Sequence, residues 1–332
     1  MKRELTSNRK LVQRFVKDYN LPINLYDYSH FEYYAKLYSE DNGFFPIDAW
    51  NNLEKTIEER FDSNVDKWLD YCQSVRDNAI ADIKSSKGYK DFISDDMSFY
   101  RFGSHNIGEH SCYSERTDRN IFFSVDLRKA NFQALKYADV LTDDTYENFI
   151  FRVGGDDYIK QSKYLRQVIF GNCNPGRQTT IEKYLINKVY IYLVGTYITS
   201  MFDAFSLNSD EVVYKMIPGY DYLNIVKDTA KSKKEEIERW VKDDSNLDVR
   251  VDFFQVKKLY ITNKNNDNVD AYVKRSLVDG TETLKKASTT FFPQIYKLWK
   301  NLPITDMDKE FFFEHQIATF NDKLVINDII DN

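Results

Sequence analysis

Three acidic residues lie where strand and turn patterns would hold them rigidly. Asp126 stands at the C-terminal end of the apolar run Ile121–Leu127, and Asp210, with Glu211 beside it, stands in a turn within residues 202–216. The first segment predicts a buried strand, and the second has the pattern of a β-hairpin. If these strands are adjacent, their carboxylates could hold two divalent metal ions about 4 Å apart, as nucleotidyl transfer requires. Oxygen ligands indicate Mg²⁺ or Mn²⁺.

A cationic helix pattern lies between these acidic residues. Three- and four-residue intervals put one set of side chains on a common face, namely Lys163, Arg166 or Gln167, and Phe170. That face offers a cation for triphosphate oxygens, a polar group, and a ring on which a base can stack. Gly171 leaves room for a base pair to approach the backbone. A positive helix facing two carboxylates is the electrostatic arrangement of a metal–nucleotide site.

Hydrophobic periodicity predicts the elements that must position these residues. Apolar residues recur at three- and four-residue steps from 47 to 85, which predicts a helical N-terminal region, with a short extended piece at 24–28. The whole pattern predicts a helix-rich α+β fold. Further helices are predicted over 128–137, 144–151, 158–172, 177–201, 221–242 and 290–299, and a strand over 248–262 precedes a polar hairpin-like insert at 263–270.

Composition excludes several classes of protein. The 332 residues are 42% apolar and 30% charged, so the chain can bury a large core and is not compositionally disordered. A net charge of −6 gives no general attraction to phosphate backbones or anionic lipid. Residues 226–300 contain 16 Lys and Arg against 12 Asp and Glu, so this part is +4 while the rest is −10. Any contact with nucleic acid is therefore expected to be local.

Cysteine usage and hydropathy predict a cytoplasmic protein. Cys72, Cys112 and Cys173 are an odd number without CxxC spacing, which indicates reduced thiols. Charged residues occupy the place where a signal peptide needs its apolar run. The uncharged run 189–202 has 14 residues, short of the ~20 that a bilayer span needs. No membrane partner is expected.

The order of these segments resembles the palm and fingers of the right-handed DNA polymerases, families A and B. Their first motif is an aspartate after an apolar run, with a sugar-sensing side chain five residues later. VDLRKANF has this form, with Asp126 as metal ligand and Asn131 at the sugar-sensing position. Their third motif is a hairpin turn, Asp-Thr-Asp in family B and His-Asp-Glu in family A. SLNSDEVVY resembles both forms, and Asp210 is common to the two alignments.

The second and later motifs of family B have counterparts in the same order. The second motif is a lysine, an asparagine four residues on, and Tyr-Gly at seven and eight. Lys163, Gln167, Phe170 and Gly171 keep this spacing, with Gln in place of Asn and Phe in place of Tyr. Downstream, VDFFQVKKLYIT and DGTETLKK resemble the lysine-bearing strand and the Lys-Gly turn that contact the primer–template backbone, and Lys258 is the residue carried over. The resemblance covers about 120–300.

The resemblance implies three regions. A helical N-terminal region occupies 1–115, and a palm occupies 116–220 with helical fingers inserted at approximately 142–200. Residues 221–332 hold the remainder of an antiparallel palm sheet and a thumb-like C-terminal region. Fewer than 120 residues precede the palm, too few for the usual proofreading exonuclease domain. The chain would be a minimal, split or derelict polymerase.

The implied activity is template-directed nucleotidyl transfer. Asp126 and Asp210, helped by Glu211, would hold two Mg²⁺ ions, and Lys163 and Arg166 would bind the triphosphate. The implied partners are a primer–template and nucleoside triphosphates, and separate replication subunits could supply missing domains. Residue usage rich in Asn, Lys, Ile, Tyr and Phe suits a protein of a phage or of a low-GC bacterium, and a phage protein would act in the host cytoplasm.

Other readings of the same residues stay open. One is a catalytically inactive palm-derived accessory protein that binds nucleic acid or protein. Another is a helical binding protein without a palm, in which Asp126 and Asp210 lie far apart as ordinary turn or cap residues. His105, His110 and Cys112 could begin a zinc site, although a fourth ligand is missing. Neither GxxxxGK[ST] nor GxGxxG occurs, which argues against a P-loop or Rossmann site.

Overall fold

A computed structural model describes residues 8–21, 28–42, 45–101, 107–194, 200–218, 222–265, 267–313, 316–320 and 324–327. The helices are α1 (Arg9–Tyr19), α2 (Tyr28–Asn42), α3 (Pro46–Phe61), α4 (Val65–Ser85), α5 (Lys87–Ser94), α6 (Ala130–Tyr137), α7 (Tyr146–Arg152), α8 (Asp157–Gln161), α9 (Lys163–Gly171), α10 (Pro175–Leu193), α11 (Tyr222–Ser245) and α12 (Phe292–Trp299). The strands are β1 (Ile121–Leu127), β2 (Phe202–Leu207), β3 (Glu211–Met216), β4 (Val249–Lys258), β5 (Ile261–Thr262), β6 (Asn268–Val269), β7 (Tyr272–Ser276), β8 (Glu282–Lys285), β9 (Glu310–Phe313), β10 (Gln316–Thr319) and β11 (Val325–Ile326). The prediction of a helix-rich α+β fold is confirmed.

The long helical pattern from 47 to 85 forms two helices, α3 and α4. Asp62 and Ser63 have φ angles of 52° and 59°, a left-handed conformation that ends α3. Asn64 then begins α4, and its side-chain oxygen accepts a hydrogen bond of 3.0 Å from the Lys67 N–H. The apolar periodicity runs through the break because both helices turn their buried residues to the same core.

Other predicted bounds shift at their ends. The helix predicted over 177–201 is α10, which begins at Pro175 and ends at Leu193. The strand predicted over 248–262 is β4 followed by the short β5, which pairs with β6 across the polar insert. The extended piece predicted at 24–28 falls mostly outside the described residues. Within the described ranges, no helix combines the length and the apolar character that crossing a membrane requires.

A six-stranded sheet in the order β2-β3-β1-β4-β7-β8 forms the centre of the molecule, and each neighbouring pair is antiparallel. Helices α6 to α10 connect β1 to the β2–β3 hairpin, and α11 connects that hairpin to β4. A β-α-β-β-α-β chain in which β1 lies between β3 and β4 has the split βαβ topology. This topology brings the hairpin beside β1 although 74 residues separate β1 from β2 in the sequence.

The two faces of this sheet differ in what covers them. Helix α10 packs against β1 and β3, and α11 packs against β4, burying one face with the side chains Phe123, Val125, Val212, Tyr214, Val251 and Phe253. On the other face, Cys112 and Tyr113 pack on Phe122, Phe254 and Tyr272. Val213 and Val256 belong to the same apolar cluster, and the part of that face beyond the cluster is polar. We call it the open face; by strand register it includes Ser124, Asp126, Glu211, Arg250, Asp252, Lys274 and Lys285.

One hydrophobic core joins the N-terminal helices to the sheet. It runs from Leu11 on α1 through Trp68 on α4 to Phe123 on β1, all of which are fully buried. A smaller cluster lies under α12, where Ile295 and Tyr296 pack on Val273 and Leu284. The predicted region bounds near 115 and 220 remain predictions.

A buried polar network ties α1 to α9. The Asp18 side chain is fully buried, and its oxygens accept hydrogen bonds from Ser162 Oγ (2.5 Å) and Tyr158 OH (2.8 Å). Arg14 pairs with it at 2.9 Å. Burial raises the pKa of Asp18, whereas Arg14 and the hydroxyl donors oppose that rise. Because Ser162 is also the N-cap of α9, the network fixes the start of that helix.

Two glycine substitutions are expected to separate close packing from helix propensity. A Cβ at Gly88 would lie 2.0 Å from the Asp139 carbonyl oxygen, whereas a Cβ at Gly171 would meet nothing within 4 Å. Gly88→Ala should therefore lower the free energy of unfolding by about 1–3 kcal/mol through backbone overpacking. Gly171→Ala should leave it unchanged or raise it by roughly 0.5 kcal/mol. Urea unfolding of both variants checks this, and equal effects would contradict the packing of α5 on the turn at Asp139.

Candidate active site

The predicted strand and hairpin are neighbours in the sheet. In the β1–β3 register Asp126 lies opposite Glu211, and the Leu127 N–H donates a hydrogen bond of 2.8 Å to the Asp210 carbonyl oxygen. The C-terminal end of β1 therefore meets the turn of the hairpin. The separation of Asp126 and Asp210 that the third reading required is therefore wrong.

The register decides which carboxylates share a face. Directly opposed residues in an antiparallel pair project to the same side, so Asp126 and Glu211 both lie on the open face. On the other side of β1, Arg250 is opposite Asp126. The result is a cross-strand row, Glu211–Asp126–Arg250, with Asp210 in the turn at its edge. Sequence reasoning took Asp210 as the principal partner of Asp126, but the residue opposite Asp126 is Glu211.

Burial and mutual repulsion both act on these carboxyl groups. The Asp126 side chain is 23% exposed, and its burial raises its pKa, while Arg250 at 2.7 Å opposes the rise and the charge of Asp210 adds to it. Burial, followed by the negative charge of Asp126, raises the pKa of Glu211. Neighbouring carboxyl groups with raised pKa values are typical of sites that bind cations or move protons.

The donor set suits a hard divalent cation. Carboxylate oxygens are the ligands that Mg²⁺ and Mn²⁺ prefer, and Mg²⁺ commonly takes only one or two of them, with water and phosphate oxygens as the rest. Among the described residues no group of three or more His, Cys, Asp or Glu side chains is arranged to hold a metal ion. Asp126 Oδ2 is also occupied by Arg250. The protein would thus supply carboxylate oxygens from among Asp126, Asp210 and Glu211, and water and phosphate oxygens would be the other ligands.

Asn131 meets a residue that sequence reasoning missed. Its Nδ2 donates a hydrogen bond of 2.7 Å to Glu182 Oε1 on α10. Glu182 is 5% exposed, and burial together with the charge of Asp210 raises its pKa to about 7. The position of Glu182 in the sequence was the signal that could have identified it. Glu182 lies on the apolar stripe of α10 with Ile181 and Leu185, where burial of an unpaired carboxylate costs free energy.

Helix α9 lies against the N-terminal helices, with α1 and α4 as its main contacts. Lys163 and Gln167 are exposed, and Gly171 is exposed at the end of the helix. The Arg166 guanidinium lies 5.9 Å from the Tyr146 ring centroid, and Lys129, just after β1, lies 5.4 Å from the same centroid. Arg166 and Lys129 therefore lie near the same tyrosine ring, which connects α9 to the loop after Asp126.

The expectation that Phe170 offers its ring to a base does not hold. Phe170 is 1% exposed, and its ring packs on Tyr146 and Phe149 at centroid distances of 6.0 and 6.5 Å. Apolar spacing on a helix cannot separate a core ring from a binding ring, and here the core reading is correct.

The spacing of the second motif occurs again on α10. Lys183, Asn187 and Tyr190 keep the lysine, asparagine and tyrosine types that were substituted in α9, although Ile191 replaces the glycine. Helix α10 packs on β1 and β3, and the Tyr190 ring stacks on Tyr214 of β3 at 6.3 Å. The sequence prediction assigned the second motif to α9 because Lys163 begins the first match to its spacing along the chain. Helix α10 is thus the helix of the two that contacts the strands of Asp126 and Glu211, from the face opposite these carboxylates.

Lys258 is not presented to solvent. It is 6% exposed, its Nζ lies 3.2 Å from Glu115 Oε2, and it lies 4.9 Å over the Tyr260 ring. It also stands at the opposite end of β4 from Arg250. A contact between Lys258 and a nucleic-acid backbone would require this ion pair to open.

The zinc alternative has little support in the described residues. His105 lies outside them. Cys112 is buried, and burial raises the pKa of its thiol to about 12, which disfavours the thiolate that binds zinc.

Comparison of the chain with protein-family models, with curated proteins and with solved structures finds no match. The class of the protein must therefore be argued from its own residues.

Glu182 should make stability depend on pH in a predictable direction. Its folded pKa of about 7 is raised above its unfolded value, so its contribution is fully present at acid pH and is lost as pH rises towards 7. Glu182→Gln keeps an acceptor for Asn131 and removes the titration. The variant should be more stable than the parent at pH 8 by about 2–3 kcal/mol and equal to it near pH 4. Urea unfolding in EDTA checks this; a gap that does not change with pH would contradict it.

Proposed function

We propose that this protein is a template-directed nucleotidyltransferase, with β1, the β2–β3 hairpin and β4 as a polymerase-type palm. The carrying observation is that Asp126 on β1 lies opposite Glu211 and beside Asp210, at one end of an antiparallel sheet. Carboxylates on adjacent strands are what two-metal transfer of a nucleotidyl group needs from a protein. The proposed class is thus a DNA polymerase-like enzyme, and its substrates are nucleoside triphosphates and a primer–template.

The arrangement of the sheet supports this proposal. A split βαβ sheet covered by helices on one face leaves the other face for a large ligand, and the carboxylates lie on that open face or at its edge. In this proposal the helices inserted between β1 and β2 within about 142–200, α7 to α10, would be the fingers. The order of β1, the inserted helices and the β2–β3 hairpin supports the proposal, because it is the order that the resemblance implies.

Asp126 and Asp210, with Glu211, would hold the Mg²⁺ or Mn²⁺ ions in this proposal. When bound, such ions lower the pKa of an attacking hydroxyl and neutralise charge on a leaving pyrophosphate. The chain itself holds the carboxylates at fixed separation through the β1–β3 hydrogen bonds. Arg250 balances the charge of Asp126 until a cation takes its place. The hydrogen bond between Asn131 and Glu182 joins the segment after β1 to α10.

One observation favours a second candidate, a palm-derived accessory protein without catalysis. Asp126 is held by Arg250, and the described residues contain no three-ligand metal group. Such a protein would bind nucleic acid or separate replication subunits through the same open face without consuming nucleotides.

Primer extension distinguishes the two candidates. With Mg²⁺ or Mn²⁺, a labelled primer–template and nucleoside triphosphates, the parent protein should extend the primer. Asp126→Asn and Asp210→Asn should each lower the rate at least about 100-fold, because a metal ion supplies several kcal/mol of transition-state stabilisation. Asp203→Asn is the matched control, since Asp203 is an exposed aspartate at the opposite end of β2. A folded parent without extension under either metal would favour the accessory protein, and equal rates for all three variants would exclude these carboxylates as ligands.

The lysine that binds the triphosphate is expected on α10 rather than on α9. Lys183 follows Glu182, which senses the charge of Asp210, whereas Lys163 begins a helix that packs on α1 and α4. Lys183→Gln should raise the nucleotide KM at least fivefold, the scale of a lost charged contact to phosphate. Lys163→Gln should change it less than twofold. The reverse order in steady-state kinetics would assign the triphosphate to α9, as the first match predicted.

A further inference from the structure

A solvent-facing pocket on the open face has more cationic than acidic side chains in its lining. It has a volume of about 260 Å³ and lies where β4, β7 and β8 meet the middle of α11. We call it the cationic pocket. Its charged lining residues are Lys234, Arg250, Lys274 and Lys285 together with Asp252 and Asp279.

The acidic residues of the pocket neutralise only part of its positive charge. Asp252 pairs with Lys274, and Asp279 accepts hydrogen bonds from the Thr281 backbone N–H and hydroxyl. Within the described residues, neither Lys234 nor Lys285 forms an ion pair. The cationic pocket therefore holds four cationic side chains against two acidic ones, and the ammonium groups of Lys234 and Lys285 are its cations outside the ion pairs of the described residues.

The lowered pKa of Lys285 reflects its burial and the positive charge around it. Burial lowers its pKa, and the neighbouring cations Lys274 and Arg250 lower it further, while the carboxylates of Asp41 and Asp252 oppose them. A bound anion would relieve this repulsion. Groups of lysine and arginine at this density are the usual way in which proteins bind phosphate.

We infer that the cationic pocket binds backbone phosphate of a nucleic-acid strand lying across the open face. The pocket crosses three strands and a helix and is open to solvent, which suits an extended polyanion. Arg250 connects it to the candidate active site, because the same guanidinium lines the pocket and contacts Asp126 at 2.7 Å. The choice of a nucleic-acid strand as the source of phosphate rests on the proposed function, whereas the phosphate chemistry rests on the pocket itself.

The test measures binding without catalysis. A fluorescently labelled primer–template duplex is titrated with the full chain in EDTA at several salt concentrations, and anisotropy gives the dissociation constant. Lys234→Gln and Lys285→Gln should each weaken binding about three- to tenfold at low salt and should reduce the salt slope by about one unit. Lys90→Gln is the matched control, since Lys90 is an exposed lysine on α5, and it should stay within twofold. Urea unfolding checks that each variant is folded.

A second arm identifies the source of phosphate. Inorganic pyrophosphate competes with the duplex in the same assay. Weaker duplex binding by both pocket variants supports the inference, even if primer extension fails and the proposed activity falls. Unchanged duplex binding by both variants overturns it. Pyrophosphate affinity that falls while duplex affinity stays unchanged would also overturn it, in favour of a free polyphosphate.

Discussion

The antiparallel pairing of β1 with both β3 and β4 is the constraint on which the rest of the site depends. It sets Glu211, Asp126 and Arg250 in one row across three strands, so two acids and a base must share a small, partly buried space. A slip of one residue in either pairing would turn Asp126 to the helix-covered face, where no counter-charge is opposite it. The apolar side chains of β1 resist such a slip because the positions on either side of Asp126, Val125 and Leu127, are buried under α10 and α11.

Much of this arrangement could be predicted from local patterns. The strand at Asp126 and the hairpin at Asp210 follow from short apolar runs bounded by polar residues, and their adjacency follows from the split βαβ connection. The register could not be predicted, because alternation alone does not say which of Asp210 and Glu211 faces Asp126. The predicted base-stacking role of Phe170 was wrong, and Glu182 was missed, for related reasons. Helical spacing shows which residues share a face but not whether that face contacts solvent, the core or another helix.

Non-local charge was the least predictable part of the molecule. The excess of basic residues in 226–300 indicated a region, but Lys234, Arg250, Lys274 and Lys285 converge only when α11 lies beside the edge of β4. There Glu238 accepts a hydrogen bond of 2.9 Å from the Val251 N–H, beyond the end of β7. Single contacts of this kind fix the position of α11, and therefore of Lys234, relative to the sheet. Amino-acid composition carries no information about such contacts.

The buried Asp18 network also limits how the molecule can move. Opening a buried, hydrogen-bonded ion pair costs about 3–5 kcal/mol, so α1 and the start of α9 behave as a single rigid unit. Any closing of the inserted helices over the open face must then carry the N-terminal helices with it. Hinges for such a motion would fall in the segments that join α6 to α7 and α9 to α10. Helix α1, remote in sequence from every candidate ligand, would be part of the moving unit.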